Sequence, residues 1–271
     1  IAETDVNLDG NLSTSGSQTY KAGTTLNGDT NLTATSASFS EVISGGANNL
    51  SLNVSGLSTL SKGASDLGSF SSSGDVSVGY MVSTSGSQTY GGELSLVNST
   101  TLSGTTASFN NVTGNSYDLT LQFIDAAVSI DNNFTGISNF TAGSDVNLDG
   151  SFSTSGSQSY KGNTSLAGDT TLSGTTASFN NTIIGGGNDL SLNMSGLTSL
   201  DQGISNVSNF SSTGDVSLGG TFSTTGSQTY GGNVSLSGDT ALSGSTGSLA
   251  GVVGNNNNLS LTIASDFNLA P

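Results

Sequence analysis

The sequence has no cysteine, histidine, arginine or tryptophan, only three lysines, and a single proline, Pro271. Without histidine and cysteine, the usual zinc ligand sets and the Ser-His-Asp and Cys-His nucleophiles are excluded. No disulfide can form, so an extracellular location has to be argued from other features. These absences point away from an enzyme, and no cofactor of the usual kind is expected.

Positive charge is scarce. The three lysines stand against 19 acidic residues, which gives a net charge of −16. Such a chain has little with which to neutralise phosphates, so we predict no nucleic-acid partner, and an anionic membrane surface would repel it. Its apolar runs are too short for a transmembrane helix, so no direct membrane insertion is expected.

Small and polar residues are abundant in the sequence. Serine, threonine, asparagine and glycine number 53, 35, 28 and 39, and hydrophobic residues make up only 32% of the chain. A composition of this kind can indicate disorder. However, disordered chains are usually richer in proline, and the apolar residues here recur on a long period. We therefore predict a folded repeat protein.

A 70-residue repeat runs through the sequence. The pentapeptide GSQTY at 16–20 returns at 86–90 and 226–230, and as GSQSY at 156–160. We assign four copies within one solenoid domain spanning 1–271, the last of them truncated: 5–74, 75–144, 145–214 and 215–271.

A finer period lies inside each copy. Asp145, Asp169, Asp189 and Asp215 each begin a strand-like stretch, and their spacings suggest three unequal coils averaging about 23 residues. Leu190, Leu192 and Met194 alternate with polar residues, which is the two-residue period of a half-buried strand. Glycine, asparagine and aspartate punctuate the chain as tight turns require. The sequence predicts an all-β parallel β-helix of about 12 coils, with three coils per copy.

Two segments carry a resemblance to a known family. GSQSYKGNTSLAGDTTLSGTTASF at Gly156–Phe179 and GSQTYGGNVSLSGDTALSGST at Gly226–Thr246 resemble the passenger repeats of secreted bacterial exoproteins of the filamentous-haemagglutinin type, which use two-partner secretion, and of autotransporter adhesins. The resemblance implies a right-handed β-helix, export through an outer-membrane pore, and an adhesive or structural role at the bacterial cell surface.

Aspartates form the first candidate site. If the coils stack in register, five of them fall on one edge about 4.8 Å apart, where bound Ca²⁺ would relieve their mutual repulsion. The alternative, which we favour, is that each aspartate caps a turn through its own backbone. The five residues of this proposed ridge are Asp145, Asp169, Asp189, Asp215 and Asp239.

A glutamine followed two residues later by a tyrosine is the second candidate, because both side chains can contact sugars. The interpretation that we favour is structural: the glutamine satisfies backbone groups at a corner, and the tyrosine covers the adjoining coil. The pairs are Gln18 and Tyr20, Gln88 and Tyr90, Gln158 and Tyr160, and Gln228 and Tyr230.

Three functions compete. The first is a non-enzymatic adhesive or structural stalk, secreted or on the bacterial cell surface, whose partner is a surface or glycan receptor. The second is a self-assembling subunit of a filament, sheath or surface layer, which associates with itself end to end or laterally. The third is a polysaccharide-acting enzyme, which the near absence of cations and of a unique acidic cluster disfavours. Asp125 and Asp131 in the second copy are the departures from the repeat that such an enzyme would need, and we interpret them as solvated turn residues. We predict the stalk.

Overall fold

The computed structural model describes residues 1–269, and in this range the chain forms thirty β-strands and no helix. Alternating burial explains the strands. In the strand Leu190–Met194, Leu190, Leu192 and Met194 are buried while Ser191 and Asn193 point outward. All strand pairs with a defined register are parallel and join successive coils. The prediction of an all-β parallel solenoid is confirmed.

The chain divides into two compact units, one made of residues 1–128 and 133–138 and the other of residues 129–132 and the chain from 139 onward. The prediction of one continuous solenoid over 1–271 stays a prediction, and the last two residues of the fourth copy lie outside the described residues. No helix long and apolar enough to cross a membrane occurs among residues 1–269.

Short strands joined by tight turns build the first unit. Its strands are β1 (Val6–Ser13), β2 (Ser17–Tyr20), β3 (Thr24–Ala34), β4 (Ser36–Phe39), β5 (Ile43–Ser44), β6 (Leu50–Val54), β7 (Ser58–Leu60), β8 (Ala64–Leu67), β9 (Phe70–Ser72), β10 (Val76–Thr84), β11 (Gln88–Gly104), β12 (Ala107–Thr113), β13 (Leu119–Phe123) and β15 (Phe134–Thr135). β14 (Val128–Ile130) contains residues of both units.

The second unit repeats this pattern. Its strands are β16 (Phe140–Ala142), β17 (Val146–Ser153), β18 (Gln158–Tyr160), β19 (Thr164–Gly174), β20 (Ala177–Phe179), β21 (Ile183–Ile184), β22 (Leu190–Met194), β23 (Thr198–Leu200), β24 (Ile204–Val207), β25 (Phe210–Ser212), β26 (Val216–Thr224), β27 (Ser227–Gly244), β28 (Thr246–Val253), β29 (Leu259–Ile263) and β30 (Phe267–Leu269).

Three ladders of paired strands run through the second unit, and each coil contributes one segment to each ladder. Ladder one passes through Val146, Thr164, Ile183, Ile204, Phe222, Leu242 and Leu261. Ladder two passes through Gly150, Thr170, Leu190, Phe210, Gln228, Gly247 and Phe267. Ladder three passes through Phe140, Gln158, Ala177, Thr198, Val216, Val234 and Val252.

The coils are shorter than the sequence suggested. One turn of the coil leads from Val146 to its partner Thr164, and another leads from Thr170 to its partner Leu190. The solenoid therefore has about 14 coils instead of about 12. The prediction was wrong on this point because successive aspartates were taken to start successive coils, whereas several of them begin strands on different ladders.

A 70-residue copy spans about three and two-thirds coils, not three. From Gln158, three steps along ladder three reach Val216. Gln228, the counterpart of Gln158 in the next copy, lies part of a coil beyond Val216 and belongs to ladder two. The first unit behaves in the same way, since three steps from Gln18 reach Val76, and Gln88 follows part of a coil later on another ladder. Equivalent residues of these successive copies therefore face different sides.

Aromatic rings stack inside the coils. The rings of Tyr160 and Phe179 are 4.6 Å apart and nearly parallel, and Tyr20 stacks on Phe39 at 4.7 Å. These tyrosines are buried together with the leucines and valines of the inward positions. Because each coil encloses a narrow interior, a chain with few hydrophobic residues still fills its core.

Tight stacking makes some glycines irreplaceable, and two in the second unit allow a matched test. Both Gly187 and Gly203 have a left-handed backbone, with φ of 87° and 79°. A Cβ at Gly187 would meet nothing within 4 Å, but one at Gly203 would lie 2.0 Å from the backbone oxygen of Thr221 in the next coil. Gly187→Ala should cost about 1–2 kcal/mol of unfolding free energy, and Gly203→Ala about 3 kcal/mol because the coils must separate. Chemical denaturation of both variants checks this, and equal losses would contradict it.

Candidate functional site

The glutamine–tyrosine pairs lie inside the coils, not on the surface. The Gln228 amide donates to the backbone oxygens of Phe222 at 3.0 Å and Ser243 at 2.7 Å, and its Oε1 accepts from the Tyr230 hydroxyl at 2.9 Å. Gln88 has the same geometry with Val82, Ser103 and Tyr90. Each glutamine–tyrosine pair, called a clamp below, joins the glutamine side-chain amide of one coil to a backbone carbonyl of the next coil. The glutamines therefore satisfy backbone groups, as the structural interpretation requires.

The other two pairs follow this pattern with small changes. Gln158 donates to Ser173 O at 2.8 Å and to the Thr154 hydroxyl at 3.3 Å, and it accepts from Tyr160 at 2.8 Å. Gln18 also accepts from its tyrosine, Tyr20. All four glutamines are buried, with exposures from 0% to 7%. A ligand at the surface has no access to Gln88, Gln158 and Gln228, whereas Gln18 and Tyr20 line an open pocket of about 520 Å³.

Burial changes the acidity of the tyrosines. It raises the pKa of the Tyr90, Tyr160 and Tyr230 phenols well above their ordinary value of 10.0, because the phenolate would lose its hydration. It also raises the pKa of Tyr20. The tyrosines in these clamps are therefore neutral hydrogen-bond donors at every physiological pH.

The aspartates hold adjacent coils together. Asp145 Oδ1 accepts the backbone N–H of Asn163 at 2.7 Å, and Asp215 Oδ1 accepts that of Asn233 at 2.8 Å. Each bond reaches a residue in the next coil. This corrects the favoured sequence interpretation, in which aspartate caps its own turn. The carboxylates bond one coil to the next, because a turn stacked on another turn presents its backbone N–H to the coil below.

The five carboxylates of the proposed ridge do not share one edge. Asp169 and Asp189 begin segments of ladder two in adjacent coils, and Asp189 N–H donates to Asp169 Oδ1 at 2.9 Å. Asp215 begins a segment of ladder three, while Asp145 and Asp239 begin segments of ladder one several coils apart. No group of three or more acidic side chains able to hold a metal ion occurs within residues 1–269. Calcium binding stays a prediction without the geometry that motivated it.

Two of these carboxylates are more acidic than usual. Desolvation acts to raise the pKa of Asp189, but hydrogen bonds from the Asn209 side chain, from Ser208 and from the Asn209 amide outweigh it and lower the pKa. The backbone and side-chain N–H groups of Asn258 lower the pKa of Asp239. Because the pKa of each carboxyl is lower in the folded state, the ionised carboxylates stabilise the fold at a pH above the unfolded pKa of 3.8. This stabilisation is lost as the pH falls through the folded pKa.

The outward positions carry rows of hydroxyl groups. On ladder two, six successive coils present serine or threonine, and on ladder three six more do so. The ladder-two row is Ser151, Thr171, Ser191, Ser211, Thr229 and Ser248. The ladder-three row is Thr141, Ser159, Ser178, Ser199, Ser217 and Ser235. Neighbouring hydroxyls in these rows can bond to each other, as Ser191 and Ser211 do at 2.9 Å.

One surface feature is not predicted by the sequence patterns described above. Val42, Lys62, Tyr80 and Met81 line a groove of about 390 Å³ on the first unit. Alignment of the four copies reveals it, because glycine stands at the Tyr80 position in the other three, at 10, 150 and 220.

The two acids named as departures are Asp125, which is exposed, and Asp131, which is half-buried.

Comparison with known proteins identifies no relative. No protein-family model, no curated protein and no solved structure matches the chain. The function has to be argued from the chain itself.

The Gln228 clamp predicts a coupled loss of stability. Tyr230→Phe leaves the Gln228 Oε1 unpaired in the core, and Gln228→Leu removes the acceptor of the buried phenol and one donor to each of two carbonyls, so each should cost about 1–3 kcal/mol. The double variant should cost about 1 kcal/mol less than the sum. A double-mutant cycle by chemical denaturation measures this coupling. Pairing Tyr230→Phe with the distant Ser159→Ala is the control and should be additive. Additivity at Gln228 and Tyr230 would argue against the clamp.

The buried phenols predict instability in alkali. Because the folded state keeps these protons above pH 10.0 while the unfolded state releases them, unfolding free energy should fall by about 1.4 kcal/mol per pH unit for each buried phenol. Below that pH their ionisation contributes nothing. Parallel pH titrations followed by circular dichroism and phenolate absorbance should show unfolding and ionisation together. Tyr160→Phe should make the transition less steep, and ionisation of all tyrosines without unfolding would refute the burial.

Proposed function

We propose that this chain is a non-enzymatic structural and adhesive segment of a secreted bacterial surface protein. The coils form the scaffold, and the outward ladders form the surface that meets a glycan or another cell-surface receptor. The resemblance of the 156–179 and 226–246 segments to haemagglutinin-type passenger repeats supports the placement at the bacterial surface.

The observation that carries this proposal is the hydroxyl rows. Serine and threonine occupy the outward position of ladder two in six successive coils, although these positions come from different parts of the 70-residue repeat. Folding alone requires only that the outward side chain suit a strand. Hydroxyl groups both donate and accept hydrogen bonds, which matches the hydroxyl groups of a glycan.

Stacked coils suit such a role for an energetic reason. Each coil contacts only its neighbours, so stability grows as a sum over coils and does not need a large globular core. An outward side chain can therefore vary without disturbing the interior. A surface that repeats the same weak contact many times binds a polymeric ligand through multivalency, even where each contact is weak.

A ladder substitution tests the adhesive part. The chain coupled to beads should bind members of an array of neutral and acidic oligosaccharides. A variant with four outward hydroxyls of ladder two removed should lose at least about tenfold in avidity, because the lost contacts multiply. The four changes are Ser151→Ala, Thr171→Ala, Ser191→Ala and Ser211→Ala.

The matched control alters the inside of the same coils. Leu192→Val keeps every outward hydroxyl while trimming one buried methylene, and it should leave glycan binding unchanged. Absence of glycan binding, or equal binding by the ladder variant, would remove the adhesive role. Filaments that persist on dilution in negative-stain electron microscopy would instead favour the self-assembling subunit.

A further inference from the structure

The second copy departs from the repeat at a strained position. Tyr80 has φ of 67°, and the residues that correspond to it in the other copies are glycines, also with positive φ. A tyrosine in this left-handed conformation is unfavourable, and such strain is found where function requires it. Met81 stands beside it where the other copies have Asn11, Ser151 and Thr221. Both side chains are substantially exposed, at 48% and 42%.

Together these residues form a groove with one positive charge. Val42, Ala64 and Met81 supply apolar walls, and the Lys62 ammonium lies 5.2 Å from the centre of the Tyr80 ring. Lys62 has no ion-pair partner among the described residues, whereas Lys21 pairs with Glu3. Tyrosine and methionine are enriched at protein–protein interfaces. The groove therefore fits an apolar side chain that has a carboxylate next to it.

The second copy also carries a protruding apolar side chain with a carboxylate next to it. Ile124 is 81% exposed, more than any other large hydrophobic side chain of the described residues except the N-terminal Ile1, and it precedes the exposed Asp125. Its backbone N–H donates to Gly104 O of the preceding coil, as Ser195 N–H donates to Gly174 O. At the equivalent positions the other copies therefore have serine or alanine in place of Ile124, and glycine or serine in place of Asp125.

We propose that the groove of Val42, Lys62, Tyr80 and Met81 binds the Ile124–Asp125 protrusion of a second copy of this chain. The isoleucine side chain lies against Tyr80 and Met81, and the Asp125 carboxylate pairs with Lys62. If two copies exchange protrusions, the contact is isologous and closes as a dimer; if each copy gives its protrusion to a different neighbour, the contact is heterologous and propagates. This inference does not depend on the proposed glycan binding.

Complementation between two variants tests the contact. Tyr80→Gly destroys the groove while keeping the protrusion, and the backbone there already suits glycine. Ile124→Ser destroys the protrusion, keeps the groove, and restores the residue found at 55 and 195. Sedimentation velocity over a concentration series, in enough salt to screen the net negative charge, measures association.

The wild type should self-associate, and each variant alone should do so at least about tenfold more weakly, because a central apolar anchor is lost. A mixture of the two variants should form discrete pairs, since one supplies an intact groove and the other an intact protrusion. The charge swap gives a second test: Lys62→Glu should weaken association, and mixing it with Asp125→Lys should restore it.

Leu197→Ser is the matched control, because Leu197 is as exposed as Tyr80 but belongs to neither surface. It should associate like the wild type, and circular dichroism confirms that each variant is folded. A wild type that stays monomeric up to high micromolar concentration would overturn the proposal. Equal weakening by Leu197→Ser, or a mixture of variants that does not associate, would overturn it as well.

Discussion

Parallel backbone hydrogen bonding between successive coils is the constraint on which this structure depends. Each strand segment pairs with the segment one coil earlier and one coil later, so an inward side chain always stands above another inward side chain. A one-residue slip would turn every apolar residue outward. The coils differ in length, yet they keep this register because the differences are absorbed at turns and at bulges such as that between Leu148 and Gly150.

The polar side chains follow from that constraint. Stacked turns leave N–H groups pointing at the coil below, and aspartates accept several of them, as Asp145 does from Asn163. Inside the coil, next to a bend of the chain, Gln88 and Gln228 each donate to a backbone carbonyl of the next coil. A buried glutamine amide without a partner would be costly, and these bonds together with the tyrosine hydroxyl satisfy it. The glutamine–tyrosine clamp therefore belongs to the architecture of the fold and recurs wherever that bend recurs.

The length of a copy is not a whole number of coils, so equivalent residues of successive copies lie on different sides of the coils. Because a copy spans about three and two-thirds coils, the same sequence element has to fit different ladders, as Gln158 and Gln228 do. A binding row in this protein cannot be made by repeating one residue once per copy. The hydroxyl rows combine different parts of the copy, and a departure confined to one copy, such as Tyr80, marks a single place on the surface.

The sequence by itself determined the class of fold, because the alternation at residues such as Leu190, Leu192 and Met194 and the recurrence of whole copies are properties that survive without coordinates. It also predicted that the glutamines serve the backbone. Only the tertiary structure decided the coil length, the ladder to which each aspartate belongs, and the proximity of Lys62 to Tyr80. The reason is that stacking is set by the path length of each coil through its turns and bulges, and a spacing between similar residues does not reveal whether they lie one coil or a fraction of a coil apart.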